Sequence, residues 1–179
     1  MRDALFRERC QALKLVLSDV DGVMTDGKIM LLPGGAEAKS FHVRDGLGLV
    51  LARRAGLRTG LVSGRSSAEV ERRAAELGLD VVRQGIGDKR ACLEEIRAEL
   101  GLLSREIAYI GDDVNDLALL REVGLSAAPA DAPLEVRDAA FMVTERRGGE
   151  GCLREFVEAI LRARGEWELA LATIGALPS

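Results

Sequence analysis

LVLSDVDGVMTDG, residues 15–27, is the stretch of the chain that points most directly to its fold. Its first four residues, Leu15–Ser18, form an apolar run that is typical of a strand buried on both faces of a sheet. Asp19 and Asp21 follow at once, and Gly22 allows a sharp turn and a close approach of the backbone to a ligand. Two carboxylates at a strand end are costly to hold together without a cation. The stretch therefore predicts a ligand-binding loop after a buried strand.

An ordinary polar turn or a calcium loop of the EF-hand type is the alternative for this segment. Such a loop lies between two helices and has a glutamate at its twelfth position. Counted from Asp19, the twelfth residue is Met30, and a predicted strand precedes the loop. The calcium-loop interpretation is therefore not favoured.

The rest of the chain alternates short apolar runs with longer amphipathic stretches. Further strands are predicted at Thr59–Val62, Val81–Val82, Ile107–Ile110, Leu125–Ala128 and Phe141–Val143. Helices are predicted at Leu47–Ala55, Ala68–Leu77, Lys89–Leu100, Asp116–Glu122 and Leu153–Arg164. Strands that alternate with helices indicate crossover connections. We therefore expect an α/β fold with a doubly wound, Rossmann-like, mostly parallel sheet.

The length of 179 residues suits a single domain, residues 1–179. One segment interrupts the alternation, where Lys28–Leu32 and Ala38–Val43 flank the turn-forming cluster Pro33-Gly34-Gly35. This segment predicts a β-hairpin over residues 28–43 that projects from the sheet, with an irregular loop as the alternative.

Composition and charge exclude some classes of protein. The net charge is −4, and neither a basic excess nor a basic stripe of the kind that binds nucleic acid is present. No run of about 18 apolar residues and no signal sequence occurs. The three cysteines lack zinc or disulfide spacing and are expected to be reduced. We therefore expect a cytoplasmic protein without a membrane or nucleic-acid partner, although a small anionic substrate is compatible with this charge.

Three more motifs follow predicted strands, and ligands of an open parallel sheet bind beyond the carboxyl ends of its strands. Ser63 and Gly64 precede a helix, where a hydroxyl and loop amides suit an oxyanion, with helix capping as the alternative. Lys89 begins another helix, and a lysine taken alone is usually a solvated charge. Gly111–Asp116 reads GDDVND and indicates a metal ligand set, with an acidic helix start as the alternative.

Together the four motifs resemble the haloacid dehalogenase-like hydrolases, a family of phosphatases and phosphotransferases. The family pattern is DxDG, then Ser or Thr, then Lys, then GDxxxD. The chain supplies Asp19–Gly22, Ser63, Lys89 and Gly111–Asp116 in that order. The resemblance covers about residues 14–145 and implies a magnesium-dependent phosphatase that forms an aspartyl phosphate.

The resemblance implies roles for the acids nearest the phosphate. Asp19 is the expected nucleophile, and Asp21 is the expected general acid and base. Mg²⁺ is expected to bind the carboxylates of Asp19 and Asp112 and the backbone carbonyl of Asp21.

The remaining motif residues are expected to support the reaction from around these acids. Ser63, Gly64 and Lys89 are implied to hold the phosphoryl oxygens, and Lys89 also stabilises the charge of the transition state. Asp113 and Asp116 are implied to orient the metal site from behind its ligands.

Many relatives cover this site with an inserted cap domain, but a capless subgroup is the better match. The intervals Asp19–Ser63 and Ser63–Lys89 are too short for a domain of about 50 residues or more. Three further elements resemble this subgroup: Lys39–Gly46 (KSFHVRDG), Gln84–Lys89 (QGIGDK) and Arg147–Gly151 (RGGEG). The subgroup contains tetrameric phosphatases of 3-deoxy-D-manno-octulosonate 8-phosphate and of sialic-acid-like 9-phosphates.

Without a cap, an open site would leave an acyl phosphate poorly shielded from water. We therefore expect the hairpin 28–43 and the C-terminal tail 165–179 at the interface of a homo-oligomer, a tetramer in the subgroup. A neighbouring chain would then complete the site.

The resemblance implies a small acidic sugar phosphate as substrate. Arg65, Arg73 and Arg44 are candidates to bind its carboxylate or hydroxyls, with a solvated helix face as the alternative for Arg65 and Arg73. The Gly-Arg that follows Ser63 resembles the octulosonate enzymes, whereas Glu145–Glu158 looks closer to the nononate branch. We favour octulosonate 8-phosphate, a precursor of lipopolysaccharide, over 2-keto-3-deoxynononate 9-phosphate.

Three rival functions are less favoured. A non-catalytic oligomerisation module on the same fold would be expected to lack catalytic groups, yet Asp19, Asp21, Lys89 and Asp112 are all present. A phosphomutase usually needs a cap that excludes water. A response-regulator receiver would place its phosphoacceptor after the third strand, not the first.

Overall fold

The computed structural model describes residues 2–35 and 37–175. The helices are α1 (Arg2–Ala12), α2 (Val43–Arg54), α3 (Ala68–Leu77), α4 (Lys89–Leu100), α5 (Leu117–Glu122), α6 (Leu134–Ala139), α7 (Cys152–Arg164) and α8 (Trp167–Ala172). The strands are β1 (Leu15–Ser18), β2 (Met30–Leu31), β3 (Glu37–Ala38), β4 (Arg58–Val62), β5 (Val81–Arg83), β6 (Ile107–Ile110), β7 (Leu125–Ala128) and β8 (Met142–Val143).

Six strands form the main sheet in the order β5-β4-β1-β6-β7-β8, and their pairings are all parallel. The predicted doubly wound, Rossmann-like fold is thereby confirmed. The chain builds one half of the sheet outward from β1 and then returns to build the other half from β6. The order reverses between β1 and β6, which is where open α/β sheets bind ligands.

The strands are buried on both faces because helices cover each side. Along β1, Val16 faces the layer formed with α1, α2, α7 and α8, while Leu15 and Leu17 face the layer formed with α4, α5 and α6. This alternation follows from the two-residue repeat of a strand. Because both faces are buried, the strand sequences are continuous apolar runs and do not alternate between apolar and polar residues.

The paired part of the hairpin is shorter than predicted. Met30 pairs with Ala38 and Leu31 with Glu37 in a separate two-stranded sheet. The predicted second strand, Ala38–Val43, is wrong beyond Ala38, and α2 begins at Val43 instead of Leu47. His42 explains the early start, because its Nδ1 accepts a hydrogen bond from the Arg44 N–H and caps the helix.

The predicted C-terminal tail contains ordered structure in its first part. Residues 167–172 form α8, whose Trp167 and Ala170 side chains are buried against the core. Residues 176–179 of the tail lie outside the described residues.

Two other features concern the whole of the described chain. Cys10, Cys92 and Cys152 are free and buried. Across residues 2–35 and 37–175, every helix is too short or too polar to cross a membrane.

Candidate active site

Three of the predicted motif loops meet at the carboxyl edge of the sheet. Because β4 and β6 both pair with β1, Ser18 lies beside Leu61 on one side and Ile110 on the other. The loops that follow these strands therefore start side by side, and the Asp19 N–H donates to the Ile110 carbonyl at 2.9 Å. They enclose a cavity of about 220 Å³. Its lining residues are Asp19, Asp21, Gly27, Ser63, Gly64, Arg65, Asp112, Asp113 and Asn115.

Lys89 reaches this site from the start of α4. Its ammonium lies 2.8 Å from Oδ2 of Asp19 and 2.6 Å from Oδ1 of Asp116, and its side chain is only 3% exposed. Burial alone would lower the pKa of Lys89, but the two carboxylates outweigh it and hold this pKa above its ordinary value. Lys89 is therefore a buried cation at the side of Asp19.

Asp19 is itself buried. Its Oδ1 accepts a hydrogen bond from the Val20 N–H at 2.6 Å. Burial, and after it the carboxylate of Asp116, raise the pKa of Asp19 to about 6, although Lys89 opposes the shift.

Asp116 lies behind the cavity, fully buried, and holds several groups in place. Its Oδ1 accepts hydrogen bonds from Lys89 and from the Tyr109 hydroxyl, the latter at 2.5 Å. Its Oδ2 accepts from the backbone N–H groups of Asp112 at 3.0 Å and Asp113 at 3.3 Å. Asp116 thus fixes both the lysine and the loop that carries Asp112.

Tyr109 contacts the site through Asp116, although its sequence context did not indicate this role. It lies within the apolar run IAYI of β6, where the two-residue repeat makes it a core residue. Its ring does pack in the core, but its hydroxyl reaches Asp116. A buried tyrosine usually finds such a partner, which is the one signal that sequence offers.

Asp112 carries the carboxylate that is least engaged. Among the described residues, its oxygens accept no hydrogen bond, in contrast to those of Asp116. Burial raises the pKa of Asp112 to about 8, and the carboxylates of Asp19 and Asp116 add to this effect. One oxygen from each of these three acids lies within 4.8 Å of the others.

A divalent cation suits this donor set. Three crowded carboxylates face one lysine, and hard oxygen donors are the ligands that Mg²⁺ prefers. Asp19 and Asp112 line the cavity, whereas Asp116 does not, and its oxygens already accept four hydrogen bonds. The residues that fit a cation are therefore Asp19 and Asp112, with Asp116 behind them.

Gly22 is required where the loop after β1 passes Asp112. Its φ is +86°, and a Cβ atom there would lie 1.9 Å from Oδ2 of Asp112. The close backbone approach predicted for this glycine is present, and it is made to the carboxylate of Asp112.

Asp21 borders the cavity beside two cations. The Lys39 ammonium contacts its Oδ1, and Nε of Arg65 lies 3.9 Å from its Oδ2. Arg65 also donates two hydrogen bonds to Glu37, at 2.8 and 3.0 Å.

The other two candidate arginines lie elsewhere within the chain. Arg73 lines a neighbouring cavity of about 230 Å³ and pairs with Glu76 at 3.2 Å. Arg44 lines a third cavity, of about 780 Å³, between α2 and α7. The structure thus brings Arg65, but neither Arg73 nor Arg44, to the cavity of Asp19.

The Arg147–Gly151 segment presses on the loop after β1. The Gly149 N–H donates to the Val23 carbonyl at 2.9 Å, and a Cβ atom on Gly148 would lie 1.9 Å from the Gly22 carbonyl oxygen. Two loops that are distant in sequence therefore pack backbone against backbone.

Residues 35–124, about half of the chain, match the sequence profile of the haloacid dehalogenase-like hydrolases. The chain belongs to this family. Among curated relatives, the 3-deoxy-D-manno-octulosonate 8-phosphate phosphatase KdsC of Haemophilus influenzae is 38% identical over 160 residues, covering 89% of each chain. The enzyme of that name from Escherichia coli K12 is 36% identical over 163 residues, covering 90% of this chain and 86% of the relative.

Solved structures agree with this assignment. The 3-deoxy-D-manno-octulosonate 8-phosphate phosphatase of Moraxella catarrhalis, in complex with magnesium, phosphate and KDO, is 37% identical with a TM-score of 0.91. The match covers 94% of this chain and 97% of that one. The cobalt-bound Haemophilus influenzae phosphatase is 38% identical with a TM-score of 0.87, over 90% and 94% of the two chains. The family that the motifs predicted is confirmed.

We expect Gly148→Ala to destabilise the protein, because the added methyl group would collide with the Gly22 carbonyl. Overpacking of this kind costs about 1–3 kcal/mol, measured as a loss in the free energy of unfolding in urea. Gly87→Ala is the matched control, since a Cβ atom there meets no described atom within 4 Å. Equal stability of the two variants would contradict the backbone packing of these loops.

Proposed function

We propose that the protein is a magnesium-dependent phosphatase that hydrolyses 3-deoxy-D-manno-octulosonate 8-phosphate to the free sugar acid and phosphate. The observation that carries this proposal is the arrangement of Asp19 and Asp112 at one cavity, with the buried Lys89 against Asp19. The choice of substrate rests on relatives at 36–38% identity that are octulosonate 8-phosphate phosphatases. The proposal places the reaction in the cytoplasm, in keeping with the free, buried cysteines.

In the first step, Asp19 attacks the phosphorus and the bond between phosphorus and the sugar oxygen breaks. Asp21 donates a proton to the departing oxygen, so that this oxygen leaves as a hydroxyl group and not as an alkoxide. Lys89 and Ser63, with the Gly64 amide, hold the phosphoryl oxygens as charge builds on them. When bound at Asp19, Asp112 and the Asp21 carbonyl, Mg²⁺ offsets the repulsion between the nucleophile and the anionic phosphate.

In the second step, water hydrolyses the aspartyl phosphate. Asp21, now ionised, takes a proton from the water as its oxygen attacks the phosphorus. The bond between phosphorus and Asp19 breaks, which releases phosphate and restores the carboxylate. Asp116 and Asp113 keep the Asp112 loop in place throughout, through the hydrogen bonds at the loop backbone.

The position of Arg65 favours the octulosonate substrate over the nononate alternative. Arg65 lines the cavity directly after Ser63 and Gly64, in the arrangement that resembles the octulosonate enzymes. Its side chain is 44% exposed, so its guanidinium is accessible to a carboxylate or hydroxyl of a sugar acid.

We expect Asp19→Asn to lower turnover of octulosonate 8-phosphate by roughly three orders of magnitude or more. The reason is that the amide of asparagine cannot attack phosphorus as the carboxylate does. Phosphate release is measured with Mg²⁺ present and again with a chelator, which should also abolish turnover. Asp26→Asn is the matched control, since Asp26 is an exposed acid of the same loop that pairs with Lys28. Full turnover by Asp19→Asn would contradict the proposal, and equal rates on nononate 9-phosphate would remove the preference for octulosonate.

We further propose that the protein is a homo-oligomer, a tetramer as in the capless subgroup, in which a neighbouring chain covers the site. The support is an exposed apolar surface on the hairpin, formed by Ile29, Met30, Leu31 and Leu32. Leu31 is 73% exposed. Contiguous exposed apolar side chains of this kind mark interaction surfaces.

For this surface we expect Leu31→Asp to shift the protein toward monomer, because a charge in an apolar interface is costly to bury. Sedimentation at a series of concentrations measures the shift, and activity should fall with it. Leu134→Asp is the matched control, since Leu134 is an exposed leucine on α6. An unchanged oligomer, or an active monomer, would argue against the interface.

A further inference from the structure

Lys39 has a buried side chain on a hairpin whose first strand is exposed. It follows β3 directly, and its side chain is 3% exposed, whereas the side chains of β2 lie in solvent. Taking an ammonium group out of water is costly unless a paired charge or hydrogen bond compensates. The partner that Lys39 meets is therefore the feature that explains its burial.

That partner is Asp21. The Lys39 ammonium contacts Oδ1 of Asp21, and other polar groups lie farther from this carboxylate. The Thr25 hydroxyl is 3.5 Å from Oδ1, and Nε of Arg65 is 3.9 Å from Oδ2. The contact with Lys39 is the shortest of the three, and it therefore fixes the orientation of the Asp21 carboxyl group.

The same strand makes a second connection to the site. Glu37, two residues before Lys39, accepts two hydrogen bonds from Arg65. Residues two apart in an extended chain point to the same side. Glu37 and Lys39 thus attach the returning strand of the hairpin to Arg65 and Asp21, which both line the cavity.

The two lysines of the site serve different acids. Lys89 lies against Asp19 and Asp116, while Lys39 lies against Asp21. An ammonium group has three N–H donors and no acceptor. Whether Asp21 is ionised or protonated, the oxygen that faces Lys39 can therefore only accept a hydrogen bond.

We propose that Lys39 is a positioning residue that confines the transferable proton of Asp21 to Oδ2. With Oδ1 held as an acceptor, Oδ2 is the oxygen left to donate a proton to the departing sugar and to take one from water. Oδ2 is also the oxygen nearer to Arg65 at the cavity. The inference rests on the proposed function, because it assigns Asp21 the acid and base role in that reaction.

Two substrates separate this role from phosphate binding. The sugar alcohol of octulosonate 8-phosphate needs a proton to leave, whereas p-nitrophenolate leaves without one. Single-turnover measurements, with enzyme in excess, report the transfer of phosphate to Asp19 for each substrate. Methionine is the replacement, since it fills a similar buried volume without the charge.

We expect Lys39→Met to slow the single turnover of octulosonate 8-phosphate by about ten- to a hundredfold. Release of p-nitrophenolate from p-nitrophenyl phosphate should stay within about threefold of wild type, because that step needs no proton from Asp21. Lys39→Arg keeps a donor-only cation and should recover most of the lost rate. An equal loss on both substrates, or no loss on either, would overturn the proposal.

Lys28→Met is the matched control on the same hairpin, where Lys28 is exposed and pairs with Asp26. It should leave both rates as in wild type, and a loss equal to that of Lys39→Met would overturn the proposal. In an Asp21→Asn background, Lys39→Met should slow octulosonate 8-phosphate no further, since it acts through Asp21. If the rate losses of the two substitutions multiply in the double variant, the proposal is overturned. A wild-type chain that cleaves neither substrate with Mg²⁺ would instead overturn the proposed function, and the inference with it.

Discussion

Repulsion among the carboxylates of Asp19, Asp112 and Asp116 is the constraint to which the surrounding structure responds. Three acids within 4.8 Å of one another in a largely buried place are unfavourable unless cations or donors offset them. Lys89 lies between two of these acids, and Tyr109 with two backbone N–H groups satisfies Asp116. What stays uncompensated is concentrated on Asp112, at the edge of the cavity. The fold thus leaves a position that suits a divalent cation.

The sheet topology brings these acids together from distant parts of the sequence. Asp19 and Asp112 follow neighbouring parallel strands whose last residues are in register. Gly22 and Gly148 remove the side chains that would otherwise hold the loops apart. The close approach of these loops therefore depends on strand order and on two glycines.

Much of the fold and site could be predicted because both rest on local patterns. Apolar runs locate the strands, and the acids that follow them locate the edge where ligands bind. The contact of Tyr109 with Asp116 was not predicted, because a tyrosine within an apolar strand is assigned to the core and the partner of its hydroxyl is not visible in the sequence. The contact of Lys39 with Asp21 was not predicted, because it depends on how the hairpin folds back, which local sequence does not encode. The start of α2 was misplaced because His42, a less common capping residue, begins it four residues early.

The central place of β1 has a consequence for how the protein is made. Synthesis proceeds from the amino terminus, so Asp19 leaves the ribosome well before β6 exists. Parallel strands need such distant partners, and a sheet of this kind forms only when the loops between them have closed. Until then, Asp19 and Asp21 lack the loop of Asp112 and Asp116, although β4 and Lys89 have already been made. A chain truncated before β6 would therefore lack the Ile110 carbonyl that accepts from the Asp19 N–H and the Asp116 carboxylate that holds Lys89.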